Sequence, residues 1–200
     1  MNDRSPEHIR PLLVRIDRLM AERERVLVAI DGGSASGKTT LGALLQSIYG
    51  CPVFHMDDFF LRPEQRTLER FSEPGGNVDR ERFLSEVLLP LREGKTVDYR
   101  RFDCKTFTIA SPRRIEPGRL NIIEGAYAMH PDLAPYYDLT VFLAVSAEKQ
   151  RERILKRNAP AQAELFFDRW IPFEQRYFAA LNVPERCDLT IILDDQTSVP

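Results

Sequence analysis

Cysteine is scarce in this 200-residue chain, with only Cys51, Cys104 and Cys187. The number is odd and the gaps are wide. Neither a disulfide framework nor a metal-ligand or redox pair is spelled out, and a reducing cytoplasm is the simplest setting. No apolar run approaches the ~20 residues needed to cross a bilayer, and the charged N-terminus lacks the apolar core of a signal peptide. Neither sign of charge is in surplus: 28 Lys and Arg against 30 Asp and Glu leave a net charge of −2. Such a chain has no whole-protein field for nucleic acid or for an anionic membrane, so neither is expected as a partner. Repeats and low-complexity segments are absent. What remains is an ordinary soluble composition, 43% hydrophobic and 29% charged, in a chain long enough to bury roughly 70% of its unfolded surface as one domain.

Against that background one stretch stands out, VLVAIDGGSASGKTTLGALL from Val26 to Leu45. A β-branched apolar run ends at Asp31. Gly32, Gly33, Ser34, Ala35, Ser36, Gly37, Lys38, Thr39 and Thr40 follow, and then Leu41, Leu44 and Leu45 recur at helical spacing. This is strand, glycine-rich loop and helix, and the loop fits G-x-x-x-x-G-K-[ST]. Its small residues let successive N–H groups converge as an anion nest, and the helix beginning near Lys38 points its partial positive end at the same place. Lys38 is expected to reach the β- and γ-phosphates of ATP, and the Thr39 hydroxyl to ligate Mg²⁺.

Ser5-Pro6-Glu7 opens a helix whose apolar face is Ile9, Leu12, Leu13, Ile16, Leu19 and Met20. Residues 1–24 are therefore expected to pack on a core domain spanning 25–200. After the loop's helix, Pro52 to Met56 reads as a short strand ending in Asp57-Asp58. Ligands of open α/β sheets bind beyond the carboxyl ends of strands, so these carboxylates are candidate site residues, one of them facing the phosphates more easily than the other. Residues 62–79 read as a long polar loop or a short irregular excursion. Arg80 to Leu91 reads as a helix ended by Gly94, and residues 95–117 as an inserted β-hairpin, extended through Phe102 to Thr108. Leu120 to Ile123 followed by Glu124-Gly125 has the Walker-B pattern, with Glu124 placed to hold Mg²⁺. Leu139 to Val145 and Leu189 to Leu193 read as further core strands, with a fraying tail after Asp195. Between them, Ser146 to Arg157 is a basic helix that puts Arg153 and Arg157 on one face. Such arginines on a lid, here about 151–165, can cover a transferring phosphoryl group. In the next helical run the aromatics Phe166, Phe167, Trp170, Phe173, Tyr177 and Phe178 are expected mostly in the core, with some walling a pocket, and Pro172 is expected to kink or restart it. This alternation implies an α/β P-loop NTPase fold: a mostly parallel five-stranded sheet with helices on both faces, an inserted β-hairpin and a helical lid.

GGSASGKTT, DDFF, NVD at Asn77 to Asp79, EGKTVDYRRFD at Glu93 to Asp103, IIEG at Ile122 to Gly125 and SAEKQRERILKRN occur in this order. In them the chain resembles the uridine kinase-like branch of the P-loop small-molecule kinases, the phosphoribulokinase/uridine kinase group. The resemblance implies that Asp57 is the catalytic aspartate receiving the acceptor's proton and that Asp79 binds ribose hydroxyls. It likewise implies that Glu124 accompanies Mg²⁺ and that Arg153 and Arg157 belong to the lid. Phe102 and Phe107 stand where uridine kinases carry Tyr and then His around the nucleobase. Neither can hydrogen-bond a pyrimidine edge, so the acceptor is left as a nucleoside or other sugar-like molecule with a primary alcohol. The resulting expectation is an ATP- and Mg²⁺-dependent kinase in the cytoplasm, with a homo-oligomer compatible with the sequence. The alternative is a nucleotide-binding switch. It lacks an Asn-Lys-x-Asp tetrapeptide and an Asp-x-x-Gly after the second strand.

Overall fold

Alternation along the first core strand sets the architecture. In β1 (Val26–Gly32) every residue is buried. Val26, Val28 and Ile30 point to one side of the sheet and Leu27 and Ala29 to the other. A strand buried on both faces needs helices on both. On the first side lie α1 (Arg10–Glu22), through Leu12 and Ile16, and α2 (Lys38–Tyr49), through Leu41 and Leu45. The computed structural model describes residues 7–192. The expected cap at Ser5-Pro6, Leu193 and the tail after Asp195 lie outside the described residues.

The chain then runs through β2 (Val53–His55), α3 (Leu68–Ser72), α4 (Arg80–Phe83) and α5 (Leu89–Glu93). Next come β3 (Val97–Tyr99), β4 (Phe102–Asp103), β5 (Thr108–Ile109) and β6 (Arg113–Ile115), followed by β7 (Leu120–Glu124) and β8 (Leu139–Ala144). It closes with α6 (Ala147–Arg157), α7 (Pro160–Leu165), α8 (Ile171–Leu181), α9 (Val183–Arg186) and β9 (Leu189–Ile192). The sheet order is β2-β7-β1-β8-β9. Every pairing in it is parallel, rather than mostly so. The second face is closed by Phe83, Val87, Leu88 and Leu91 from residues 80–93 and by Tyr177 and Val183 from the C-terminal helices.

Two helices depart from the regular α form in the same way. Leu84–Leu88 and Phe166–Trp170 are π-helical, and each precedes a proline, Pro90 or Pro172, at the second residue of the next α segment. Proline has no N–H for the i−4 carbonyl, and a local widening of the ladder absorbs that loss without breaking the helix.

Three expectations are corrected here. Residues 62–79 are not simply loop, since they hold a 3₁₀ turn at Pro63–Gln65 and α3, which is capped by the Thr67 side chain. The hairpin does not stay extended through Phe102 to Thr108. It forms two short antiparallel ladders, β3 with β6 and β4 with β5, because Asp103 Oδ1 accepts from the N–H of Lys105 at 2.7 Å and of Thr106 at 3.4 Å and so turns the chain. Of the aromatics in 163–181, only Tyr177 is fully buried. Phe178 packs half-buried against the core, and Phe166 and Trp170 line cavities, as expected of some of these rings.

Candidate active site

The carboxyl ends of β1, β2 and β7 meet at the glycine-rich loop. Gly32 leaves β1 at φ 150°, and a Cβ there would lie 2.4 Å from the carbonyl oxygen of Leu143 on β8. Only glycine lets the loop start this close to the neighbouring strand. Gly37, at φ 106°, then caps α2. Ser34 to Thr40, Asp57, Glu124, Ala126, Arg153, Arg157, Phe166 and Glu174 enclose a cavity of about 500 Å³. Of the predicted loop residues, Gly32 and Gly33 shape its rim without lining it. Lys38 is buried and donates to the carbonyls of Gly32 and Gly33, each at 2.9 Å. Ser36 Oγ is buried with no hydrogen-bond partner. A hydroxyl left unspent beside converging N–H groups fits a polyphosphate in this cradle.

Asp57 and Asp58 have opposite fates. Both lie in the 3₁₀ turn Met56–Asp58 that follows β2, not in extended chain. Asp58 is buried and committed to the hairpin, accepting from the Tyr99 hydroxyl at 2.7 Å and Arg101 Nε at 2.8 Å. Asp57 faces the cavities. It lines the phosphate-loop cavity and a second one of about 490 Å³ walled by Thr39, His55, Tyr99, Arg101, Ser111, Arg113 and Glu124. Among the described residues no hydrogen bond or ion pair holds its carboxylate. The group reaches solvent through the cavities, yet protein surrounds it on the cleft floor. That desolvation raises its pKa above the usual carboxylate range, Lys38 opposes the shift, and Glu124 and Asp58 add to it.

Glu124 ends β7 beside His55 of β2 in the parallel register. Its Oε1 accepts from Thr39 Oγ1 at 3.1 Å and lies 2.5 Å from His55 Nδ1. The hydrogen bond to Glu124 raises the His55 pKa, against the opposing effect of burial. Thr39 and Glu124 offer a hydroxyl and a carboxylate at one point, a hard-oxygen set suited to Mg²⁺, which keeps several of its waters. Gly125 follows at φ 142°, and a Cβ there would sit 2.6 Å from Met56 Cβ, so glycine lets β7 end against the Asp57 turn.

The arginines reach the loop from α6. Arg153 donates to the Ala35 carbonyl at 3.1 Å, and Arg157 lines the same cavity with its guanidinium 5.7 Å from the Phe166 ring centre. Asp79, Phe102 and Phe107 are not brought to this cavity. Asp79 is buried, caps α4 by accepting from the Arg82 N–H at 3.1 Å, and lies 3.5 Å from Arg62 Nε. Phe102 is buried beneath Arg66. Phe107 is half exposed and lines a separate cavity of about 180 Å³ with Phe60, Arg66, Phe71, Arg169 and Trp170.

Sequence reasoning missed four residues here: His55, Gln150, Glu174 and Asp31. Gln150 donates to the Ser34 carbonyl at 2.8 Å, and Glu174 accepts from the Ser34 N–H and hydroxyl. Asp31 is fully buried at the end of β1 and accepts from the N–H of Gly32 and of Met129 and from the Tyr177 hydroxyl. Burial lifts its pKa to about 6. For Asp31 a signal existed, an acid ending a wholly apolar strand. The others come from distant segments.

Comparison with known proteins agrees with this geometry. Residues 27–161 match the Phosphoribulokinase / Uridine kinase family. Uridine kinase-like protein 4 of Arabidopsis thaliana is 29% identical over 146 residues, covering 68% of this chain and 31% of that protein. The chain thus spans about a third of that relative's length. Among solved structures, one from Silicibacter sp. TM1040, assigned provisionally as a fructose transport system kinase, is 25% identical with a TM-score of 0.70, covering 93% of this chain and 99% of the other. A possible uridine kinase from Bacillus stearothermophilus, 24% identical with a TM-score of 0.64 over 90% of this chain and 98% of its own, shares the fold. The phosphate loop, the carboxylate ending β7 and the family match agree: this chain belongs to the phosphoribulokinase/uridine kinase family.

Proposed function

We propose that the protein transfers the terminal phosphoryl group of ATP to a primary alcohol of a nucleoside or sugar-like small molecule. The observation that carries this reading is Asp57, an unrestrained carboxylate on the floor shared by the phosphate-loop cavity and its neighbour. In this reading Lys38 and the loop N–H groups hold the phosphates. Thr39 and Glu124 hold Mg²⁺, which when bound neutralises charge on the β- and γ-oxygens. Asp57 takes the proton from the acceptor hydroxyl as its oxygen bonds to phosphorus, and Lys38 favours the ionised form that this needs. Arg153 and Arg157 offset charge gathering on the transferred group.

The acceptor enters from the hairpin side, through the cavity walled by Tyr99, Arg101, Ser111 and Arg113. Phe107, in a separate cavity, and the buried Phe102 would contact a ring only after the hairpin moved toward Asp57. Asp79 would offer sugar hydroxyls its Oδ2, which lies 3.5 Å from Arg62 Nε and accepts no hydrogen bond among the described residues. The same proposal includes a cytoplasmic setting and one kinase domain, residues 25–200, with residues 1–24 docked on it.

The test is coupled ADP release against a panel of nucleosides and sugars. Asp57→Asn is expected to lower turnover by roughly 10²–10⁴-fold while ATP still binds. Lys38→Ala is expected to cost at least about 10²-fold. Turnover at the wild-type level in Asp57→Asn defeats the scheme.

A further inference from the structure

Nothing in the phosphate loop's own chemistry calls for an acid on its rim, yet Glu174 stands there. Its side chain is 5% exposed and lines the cavity with Lys38, Asp57 and Arg153. Its two oxygens occupy both donors of Ser34, the backbone N–H at 2.8 Å and the hydroxyl at 2.6 Å. The chain has thus seated an anion of its own in the nest. Ser34 and Glu174 line the cavity together with Lys38, the residue that in such a loop reaches the β- and γ-phosphates.

The contact is built in from several sides. Gln150 Nε2 donates to the Ser34 carbonyl at 2.8 Å. A Cβ on Gly33 would lie 2.9 Å from Gln150 Nε2 and 3.6 Å from Glu174 Oε2, so glycine at 33 is what admits both side chains. Burial raises the Glu174 pKa, the Ser34 donors and Lys38 lower it, and Asp57 raises it again, for a net upward shift. A further negative group arriving here therefore meets a carboxylate with little solvent to screen it.

We propose that Glu174 discriminates ATP from ADP: its carboxylate holds the Ser34 donors that the γ-phosphoryl group takes over, so ATP must displace it and ADP need not. This rests on the reading of the loop as an ATP cradle.

The experiment is calorimetric titration of the full chain with ATP and with ADP in Mg²⁺ buffer. Glu174→Gln keeps the length and can still bond both Ser34 groups, so only the charge is lost. ATP is expected to bind about tenfold tighter, because a like-charge contact of a few Å outweighs that factor before screening; ADP is expected to stay within about twofold. Equal shifts for the two nucleotides, or an unchanged or weaker ATP affinity, overturn the proposal. If Glu174→Gln does not fold, Glu174→Ala decides. It removes the carboxylate and leaves both Ser34 donors to the γ-phosphoryl group, so the ATP/ADP ratio is expected to move the same way by at least about threefold, roughly the worth of one modest hydrogen bond, and an unmoved ratio overturns the proposal. A wild-type chain that binds neither nucleotide overturns the ATP reading and this inference together. One that binds ATP, with a ratio indifferent to both substitutions, overturns this inference alone.

Discussion

Asp31 should make the fold's stability fall between about pH 4 and pH 6. Its pKa rises from 3.8 to about 6 in the folded protein, chiefly because it is buried. A raised acid pKa means that the folded state binds a proton the unfolded state has already released. Stability from this group is therefore fully present below about pH 4 and is lost as pH rises through about 6. At 1.36 kcal/mol for each tenfold change in proton affinity, the rise from 3.8 to about 6 is worth ~3 kcal/mol. Three donors reach the carboxyl group, the Gly32 N–H at Oδ1 and the Met129 N–H and Tyr177 hydroxyl at Oδ2, and they oppose the upward shift that burial imposes without cancelling it. Asp31→Asn keeps the first bond and turns an amide NH₂ toward the Met129 N–H. One buried donor is then unmet, at a cost of ~1–3 kcal/mol. Urea unfolding at half-unit steps from pH 4 to 7.5 should show the mutant clearly weaker at pH 4, with the gap closing as pH rises. Asp57 and Glu174 also have raised pKa values and contribute slopes of the same sign. Only the difference between the two proteins isolates Asp31. Parallel curves would refute the reasoning.

Other substitutions probe the site's separate parts. Gly32→Ala places a Cβ 2.4 Å from a backbone oxygen at φ 150°; about 2 kcal/mol of destabilisation, or a Tm drop of ~4–8 °C, is expected in a thermal melt, and an unchanged Tm contradicts the close approach. Thr39→Ala and Glu124→Gln should each raise the Mg²⁺ concentration that gives half-maximal activity by about tenfold or more. Both should leave metal-free nucleotide affinity, read by fluorescence titration, nearly unchanged, and metal-free binding that falls in parallel points away from a metal role.

What was legible in the sequence is what local chemistry dictates. Apolar runs bounded by glycine and acid announced β1 and β7, and the phosphate loop's spacing announced its own conformation. The order of the short motifs announced the family. The rest arrives by tertiary approach. Glu174 is 140 residues from the Ser34 groups it grips, and it lay in a stretch that draws attention through its aromatics. His55 meets Glu124 only because β2 joins the sheet beside β7 in that register. The aromatics of 163–181 misled for a related reason. They follow helical spacing, but the π segment at Phe166–Trp170 rotates the ladder, and the faces on either side of it no longer align. The turn at Asp103 was local and could have been read, since an Asp two residues before a free N–H is a turn former.

The adjacent acids after β2 give the sharpest separation of fold from chemistry. Both are carboxylates on one 3₁₀ turn, so neither residue type nor position in the chain assigns the base; their partners do. Asp58 is occupied on both oxygens by Tyr99 and Arg101, and its loss strips the hairpin of two anchors. Tyr99 in turn accepts from the His55 N–H at 3.1 Å, so the disturbance reaches the end of β2. Asp58→Asn should therefore cost stability, ~1–3 kcal/mol for a buried charged hydrogen bond, while leaving the free carboxylate of Asp57 to act and turnover within about tenfold of wild type. Asp57→Asn should do the reverse. It relieves a desolvated charge near Glu124 and Asp58, so the fold is expected to be no less stable, while turnover falls by two orders of magnitude or more. Denaturant midpoints and turnover measured on the two single mutants give four numbers, and the assignment requires them to cross. A folded Asp58→Asn protein as inactive as Asp57→Asn would move the base to Asp58 and make the hairpin contacts part of its activation rather than its sequestration.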